Sequence, residues 1–403
     1  MSIVQFVHLS IEVFLSVGAF GLFILALVLL VECVAALFPA IRQTDNTLDE
    51  SLLNPKVAIL VPAHNEENVI SSTLTKLIST LKPQEYVIAI ADNCSDATAE
   101  IARNAGATVI ERHDSERLGK GYALDYGLQY LEKRAPDVVV FIDADCQVNR
   151  DAIAILTKTA IVTGKPVQAN YLMAKPNQPN PKDSISAFAF KVKNLVRSCG
   201  MTRLGLPCLL AGTGMAFPWS VIRSINVASS DIVEDMKLGL DLSMAGHPPI
   251  FCPDARVFGN LPQNTQAAKI QRTRWEHGHL QTLLTYVPKL VWAGIKHKRS
   301  QLFFSALDLC IPPLSLLVVM WVSMMFISLL FCLVTSLWIP VVITTIAGLF
   351  IMTAILLSWA KFASSDLPLQ ELLAVPIYIL WKIPLYFKFL IKPQKAWIRT
   401  ERD

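Results

Sequence analysis

A chain of 403 residues with 53% hydrophobic and only 17% charged residues is too apolar to be wholly soluble; it reads as a mixed soluble and membrane chain. The net charge of +4 excludes a nucleic-acid binder that relies on a broad basic face. The 8 cysteines are scattered without a CxxC pair, which speaks against a zinc site or disulfide framework and for reduced thiols facing the cytosol.

The first element is apolar. No residue from Val13 to Val31 is charged, with Glu12 and Glu32 as its bounds. At about 1.5 Å per helical residue the run can cross a hydrocarbon core of roughly 30 Å. Its start lacks the Lys or Arg of a signal peptide, so an uncleaved anchor spanning about 12–34 is expected, with 1–50 as anchor and linker.

Residues 51–280 read as an α/β domain. "KVAILVPAHNEE" (56–67) and "EYVIAIADNCSDATAE" (85–100) each pass from an apolar strand to a polar tip, and Ser95 or Asp96 is placed to cap the next helix. "ATVIERHD" is a third strand, "GKGYALDYGLQYLEK" a helix and "DVVVFIDADCQ" a fourth strand. Alternation of this kind predicts a parallel sheet with ligands at the carboxyl ends of its strands. The stretch 175–183 reads as a loop.

Each tip offers chemistry. In extended chain the carboxylates of Asp143 and Asp145 point to one side, where they would repel unless a cation such as Mg2+ or Mn2+ joined them. The bland alternative is a capped turn with one solvent-facing aspartate. Asp92 could hold a base or ribose hydroxyl, or merely close an Asx turn. Lys120, between two glycines at a helix start, suits a phosphate, or is a solvated lysine. Glu234 and Asp235 open a helix; they supply a general base, or only an acidic helix start favoured by the dipole. "QRTRW" (271–275) alone would be an amphipathic helix with a core tryptophan. His277 and His279 lack a third ligand nearby and read as structural, and His64 receives no proton-transfer role.

The remainder approaches a membrane. "QTLLTYVPKLVWAGIKHK" (281–298) reads as an amphipathic interfacial helix, assigned to 281–307. No residue between Asp308 and Lys361 is charged, which leaves room for two spans (308–362) with a turn near "TSLWIP". In 372–391, Lys382 and Lys388 would cost about 5–7 kcal/mol in a full span, so 363–403 is expected to be an interfacial or re-entrant segment with a basic tail. Lys289, Lys296, Lys298 and Arg299 before the long run, and Lys392, Lys395, Arg399 and Arg402 after it, place 42–300 and the C-terminus in the cytoplasm by the positive-inside rule.

Taken together, "VPAHNEE", "ADNCSDAT", "GKGYAL", "DADC", "LAGTGMAF", "VED" and "QRTRW" resemble, in order, the motifs of membrane-integrated family 2 glycosyltransferases. That family includes cellulose, chitin and hyaluronan synthases and ceramide glucosyltransferases. The resemblance implies a GT-A (Rossmann-like) cytoplasmic domain between N- and C-terminal transmembrane helices. It implies donor binding by Ala63, Glu66, Asp92, Lys120, Asp143, Gln271, Arg272, Arg274 and Trp275, with Asp92 on a uridine. The metal, Mg2+ or Mn2+, would sit on Asp143 and above all Asp145. Asp235, beside Glu234, would be the base, and Gly212, Thr213, Gly214 and Trp275 would line the acceptor pocket. The implied reaction is inverting transfer of a hexosyl or N-acetylhexosaminyl group from a nucleotide sugar, most simply a UDP-sugar. The acceptor would be a lipid-linked or growing polysaccharide at the inner membrane, with partner subunits if polymer is exported. A ceramide- or diacylglycerol-type glucosyltransferase is the alternative; a catalytically dead scaffold would lack the carboxylates present here.

Overall fold

The computed structural model describes residues 3–39, 54–175, 180–261 and 265–394. Most of the linker after the anchor, the centre of the 175–183 loop, and Lys395, Arg399 and Arg402 of the basic tail lie outside the described residues.

Eight strands form one sheet: β1 (Val57–Ala63), β2 (Glu85–Asp92), β3 (Thr108–Arg112), β4 (Val138–Phe141), β5 (Gln147–Val148), β6 (Val167–Ala174), β7 (Met215–Pro218) and β8 (Ile250–Asn260). Their order is β3-β2-β1-β4-β7-β6-β8-β5. The four strands expected from sequence are all parallel. Beyond β4 the sheet departs from the expected parallel pattern: β7 runs antiparallel to β4 and β6, and β5 antiparallel to β8. These added strands are hard to see in the sequence because β5 and β7 are only 2 and 4 residues long. β8 carries Pro253 and Asp254 within an irregular pairing, so its alternation is broken.

Both faces of the sheet are covered, which explains the continuous apolar runs. Val57, Ile59 and Val61 face one core with Ile70, Leu74, Leu156 and Ala160. Ala58 and Leu60 face the other with Leu124, Leu128, Phe141 and Phe217. At the carboxyl ends the chain turns sharply. Asn65 and Asn93 adopt positive φ of 53° and 51°, a region asparagine tolerates well. Their amides then tie the tips together: Asn65 Oδ1 accepts from Ser95 N at 2.7 Å, and Asn93 Oδ1 from Asp114 N at 2.8 Å.

Three helices are long and apolar enough to cross a membrane: His8–Ala35, Leu314–Thr335 and Ile339–Phe362. They pack closely; Trp321 Nε1 donates to the Thr344 carbonyl at 3.0 Å, over Gly348, where a Cβ would lie 2.3 Å from that nitrogen. The sheet domain meets the first of them just as tightly. A Cβ on Gly200 would fall 2.0 Å from the Glu32 carbonyl oxygen. The final helix, Val375–Ile391, contains Lys382 and is not among the three. "QRTRW" and the segment after it belong to one helix, Thr265–His297, so the expected boundary at 280/281 falls inside an element. Leu284, Trp292 and Ile295 are exposed in its second half.

Candidate active site

A cavity of about 390 Å3 runs along the carboxyl ends of the parallel strands. One part is lined by Ala63, His64, Glu66, Asp92 and Lys120; another reaches Leu29, Pro312, Pro313 and Leu314 at the membrane helices. Gln271, Arg272, Arg274, Trp275, Asp143, Asp145, Glu234, Asp235 and Gly212 also line it. Residues predicted from seven separate motifs therefore meet in one space.

Asp92, buried at the tip of β2, accepts from Arg112 Nη1 at 2.6 Å and from Asn93 Nδ2 at 3.1 Å. Burial raises its carboxyl, and Arg112 works in the opposite direction. Arg112 was missed in the sequence. It also meets Asp114 at 3.1 Å and lies 5.8 Å from the centroid of Tyr122, so it fixes the wall behind Asp92. The only signal was a cation closing the third strand. His64 Nδ1 donates to the Asp92 carbonyl at 2.7 Å, a structural link between the β1 and β2 tips.

Lys120 differs from the expected phosphate cradle. Its ammonium pairs with Asp143, stands 3.7 Å from Glu234 and donates to the Gly212 carbonyl at 2.6 Å. Burial opposes its charge, but Asp143 and Glu234 more than offset that and hold the ammonium above the ordinary lysine range. In this geometry the lysine ties together a carboxylate just after β4, one on the "VED" helix and a carbonyl of the glycine loop. The helix start can approach so closely because residue 121 is glycine; a Cβ there would lie 2.7 Å from the Ser229 carbonyl oxygen.

Asp143 and Asp145 lie in the turn after β4, not in extended chain as expected. They still converge: ligand atoms of Asp143, Asp145 and Cys146 lie within 4.8 Å of one another. Two carboxylates fit a hard divalent cation that takes oxygen ligands. The Cys146 thiol fits less well, since a soft sulfur ligand suits such a hard cation less than carboxylate oxygens do.

Glu234 and Asp235 open the helix Glu234–Ala245. Burial pushes the Glu234 carboxyl up to about 7, against the pull of Lys120. The Cβ direction of Gly212 points to Asp235 Oδ2, at 3.3 Å. The three residues of the glycine loop are placed differently from one another. Gly212 lines the cavity, but Thr213 is fully buried and donates no surface, its Oγ1 accepting from Asp143 N at 3.0 Å. Gly214 packs against β6 and β8, where a Cβ would lie 2.7 Å from Ala169 Cβ. Leu210 and Ala211 take their places on the cavity wall.

In the "QRTRW" turn, Arg272 is buried, donates to Ser186 Oγ at 3.1 Å and lies 5.3 Å from the Trp381 ring. Trp275 packs against Phe190 at 5.7 Å, which stands edge-on to Tyr171 at 5.2 Å. The indole thus belongs to an aromatic wall. The histidines are structural: His277 Nε2 donates to the Leu385 carbonyl at 3.0 Å and His279 Nε2 to that of Leu309 at 3.2 Å.

The chain is 25% identical over 263 residues to the probable glycosyltransferase YdaM of Bacillus subtilis (strain 168), covering 62% of this chain and 60% of that protein. It is 24% identical over 259 residues to the poly-beta-1,6-N-acetyl-D-glucosamine synthase of Staphylococcus epidermidis, covering 61% and 59%. The matched region thus spans about three-fifths of the length of these curated relatives. Among solved structures, mannosyltransferase PcManGT from Pyrobaculum calidifontis, in complex with GDP-Man and Mn2+, shares the fold. Its TM-score is 0.53 at 18% identity, over 94% of this chain and 100% of that one. Residues 55–278, more than half of the chain, match the family described as Glycosyltransferase like family 2, and the chain belongs to that family.

Proposed function

We propose that this chain is an inverting glycosyltransferase that moves a sugar from a nucleotide-sugar donor, most simply a UDP-sugar, to a hydroxyl of a lipid-linked acceptor at the cytoplasmic face of the membrane. One observation carries the reading: a single cavity joins the carboxylates of the strand tips to the feet of the membrane helices. A donor that is water-soluble and an acceptor that is membrane-borne both have a way in.

Asp92 and the β1 tip hold the nucleoside, with Arg112 setting the direction of the Asp92 carboxylate. Asp143 and Asp145 would hold Mg2+ or Mn2+, which when bound offsets diphosphate charge. Asp235 takes the proton of the acceptor hydroxyl as that oxygen attacks the anomeric carbon from the face opposite the leaving group. One displacement inverts the anomeric centre. Arg272 and Arg274 meet the charge that grows on the departing diphosphate, where fixed cations in a water-poor site act most strongly. Lys120 keeps Asp143 and Glu234 in register while this occurs.

Three candidate spans among the described residues are few for a polymer-conducting channel, which favours a lipid-linked acceptor over extrusion by this chain alone. A ceramide- or diacylglycerol-type glucosyltransferase falls within the same reading. The test is turnover by the purified full chain with UDP-glucose, UDP-galactose, UDP-GlcNAc, UDP-GlcA and GDP-mannose, each with and without Mn2+. Cation-dependent release of one nucleotide, with an inverted anomeric proton in the product by NMR, is the expected result. No donor turnover under any condition would end the proposal.

A further inference from the structure

The membrane end of the cavity contains several cations, and all but one are matched. Arg197 is held by Glu32 at 2.7 Å and by Asp308. Lys382 is paired with Glu276, and Arg272 lies 3.7 Å from Asp183. Lys193 differs. It lines the cavity, yet among the described residues its ammonium has no hydrogen bond and no ion pair. It sits in a π-helical turn, Val192–Arg197, between the helices Pro181–Lys191 and Ser198–Arg203. Such turns displace one residue from the regular helical face and are frequent at functional sites.

Lys193 is half-buried, and an ammonium drawn partly out of water needs oxygen acceptors or loses charge. Burial indeed draws Lys193 below the ordinary lysine range, and Asp235 is the carboxylate that most opposes this. Arg197, Asp308 and Glu276 are the other charged groups that act on it. The same cavity is lined by apolar Leu29, Ile311 and Leu314. The ligand that suits such a cavity has an apolar body, a hydroxyl that can donate to Asp235 and an anionic group at Lys193.

We propose that Lys193 binds the acceptor and selects it for charge, by engaging a phosphate carried by a membrane lipid. This rests on the glycosyltransferase reading of the cavity, and it names the acceptor class that reading leaves open. The lysine would take no proton and form no bond.

The test is binding, independent of turnover. The full chain in neutral detergent micelles is titrated with a fluorescent short-chain phosphatidic acid and with the matched diacylglycerol, with UDP and Mn2+ present to fill the donor end. The wild type should prefer the phosphate-bearing probe by roughly tenfold or more, Lys193→Ala should erase that preference, and Lys193→Arg should retain it. Lys193→Gln serves if the alanine variant fails to fold. Equal binding of both probes by the wild type, or an intact preference in Lys193→Ala, would overturn the inference. Inorganic phosphate is the competitor: failure to displace the probe at millimolar concentration supports a lipid ligand, and displacement at the probe's own concentration refutes it. UDP binding is measured in the same preparation. Its absence would count against the proposed function, whereas normal UDP binding without a lipid-phosphate preference counts against Lys193 alone.

Discussion

The two ends of the cavity treat charge differently. At the strand tips, Asp143, Glu234 and Asp235 act on Lys120 and Asp145 lies beside Asp143, so carboxylates outnumber this ammonium before any ligand arrives. Toward the membrane, Glu32, Arg197 and Asp308 form one buried cluster and Glu276 with Lys382 another, each joining elements far apart in the chain. The strand-tip excess is what a cation and a diphosphate would resolve; the membrane-side clusters largely resolve themselves and bind the catalytic domain to its helices. Charge at the first end should govern activity, and charge at the second should govern stability.

The sharpest way to break that contrast is Asp235→Asn. Loss of a positioned base should lower transfer by about 10²–10⁴-fold. UDP binding should persist, as read by calorimetry, and the thermal midpoint should move little. Transfer at the wild-type rate would remove Asp235 from the mechanism. Next in size, Asp145→Asn should lower turnover by about 10²–10³-fold through poorer stabilisation of the leaving diphosphate. Mn2+-dependent tightening of UDP binding should vanish with it; a variant that keeps this tightening would show that Asp145 is not a ligand.

The same contrast explains what could be read from the chain. Acidic tips that follow four-residue and longer apolar runs, as Asp92 and Asp143 do, carry their position in local sequence, because a buried parallel strand and its carboxyl end are both local patterns. The partners of those tips are not local. Arg112 is twenty residues from Asp92 and reaches it only because β2 and β3 are neighbours. Nothing near Lys120 announces that its ammonium would turn to Asp143 rather than outward. At the membrane end the signal was present but opposite in appearance. Lys382 interrupts an apolar segment and reads as a reason against burial, yet it is buried because Glu276 meets it from another helix. The half of the sheet beyond β4 was invisible for a different reason, since a two-residue strand such as β5 is defined by its neighbour β8 and not by its own residues.

On the membrane side, Lys382→Met should therefore act on stability. Removing one member of a buried pair leaves Glu276 unmatched and costs about 3–5 kcal/mol. Thermal unfolding in detergent should show the loss. Adding Glu276→Gln should recover most of it, because replacing both partners avoids an isolated buried charge. If the double variant is no better than the single one, the pair does not act as a unit.

Glu234 stands at the border between the two regimes, and pH separates them. Its carboxyl is pushed up to about 7 by burial, while the unfolded chain releases this proton near the ordinary value of 4.5. Between those values the unfolded state binds fewer protons than the folded one, so stability falls as pH rises and the loss is complete above about pH 7. Glu234→Gln has no such proton to lose. Relative to the wild type it should gain stability as pH is raised from 5 to 8. That raised value already includes the pull of Lys120, so the gain expected over this window is about 2–3 kcal/mol, read as a shift in the thermal midpoint. A gap between the two proteins that stays constant over this window would place Glu234 with ordinary exposed carboxylates and remove it from the charged knot around Lys120.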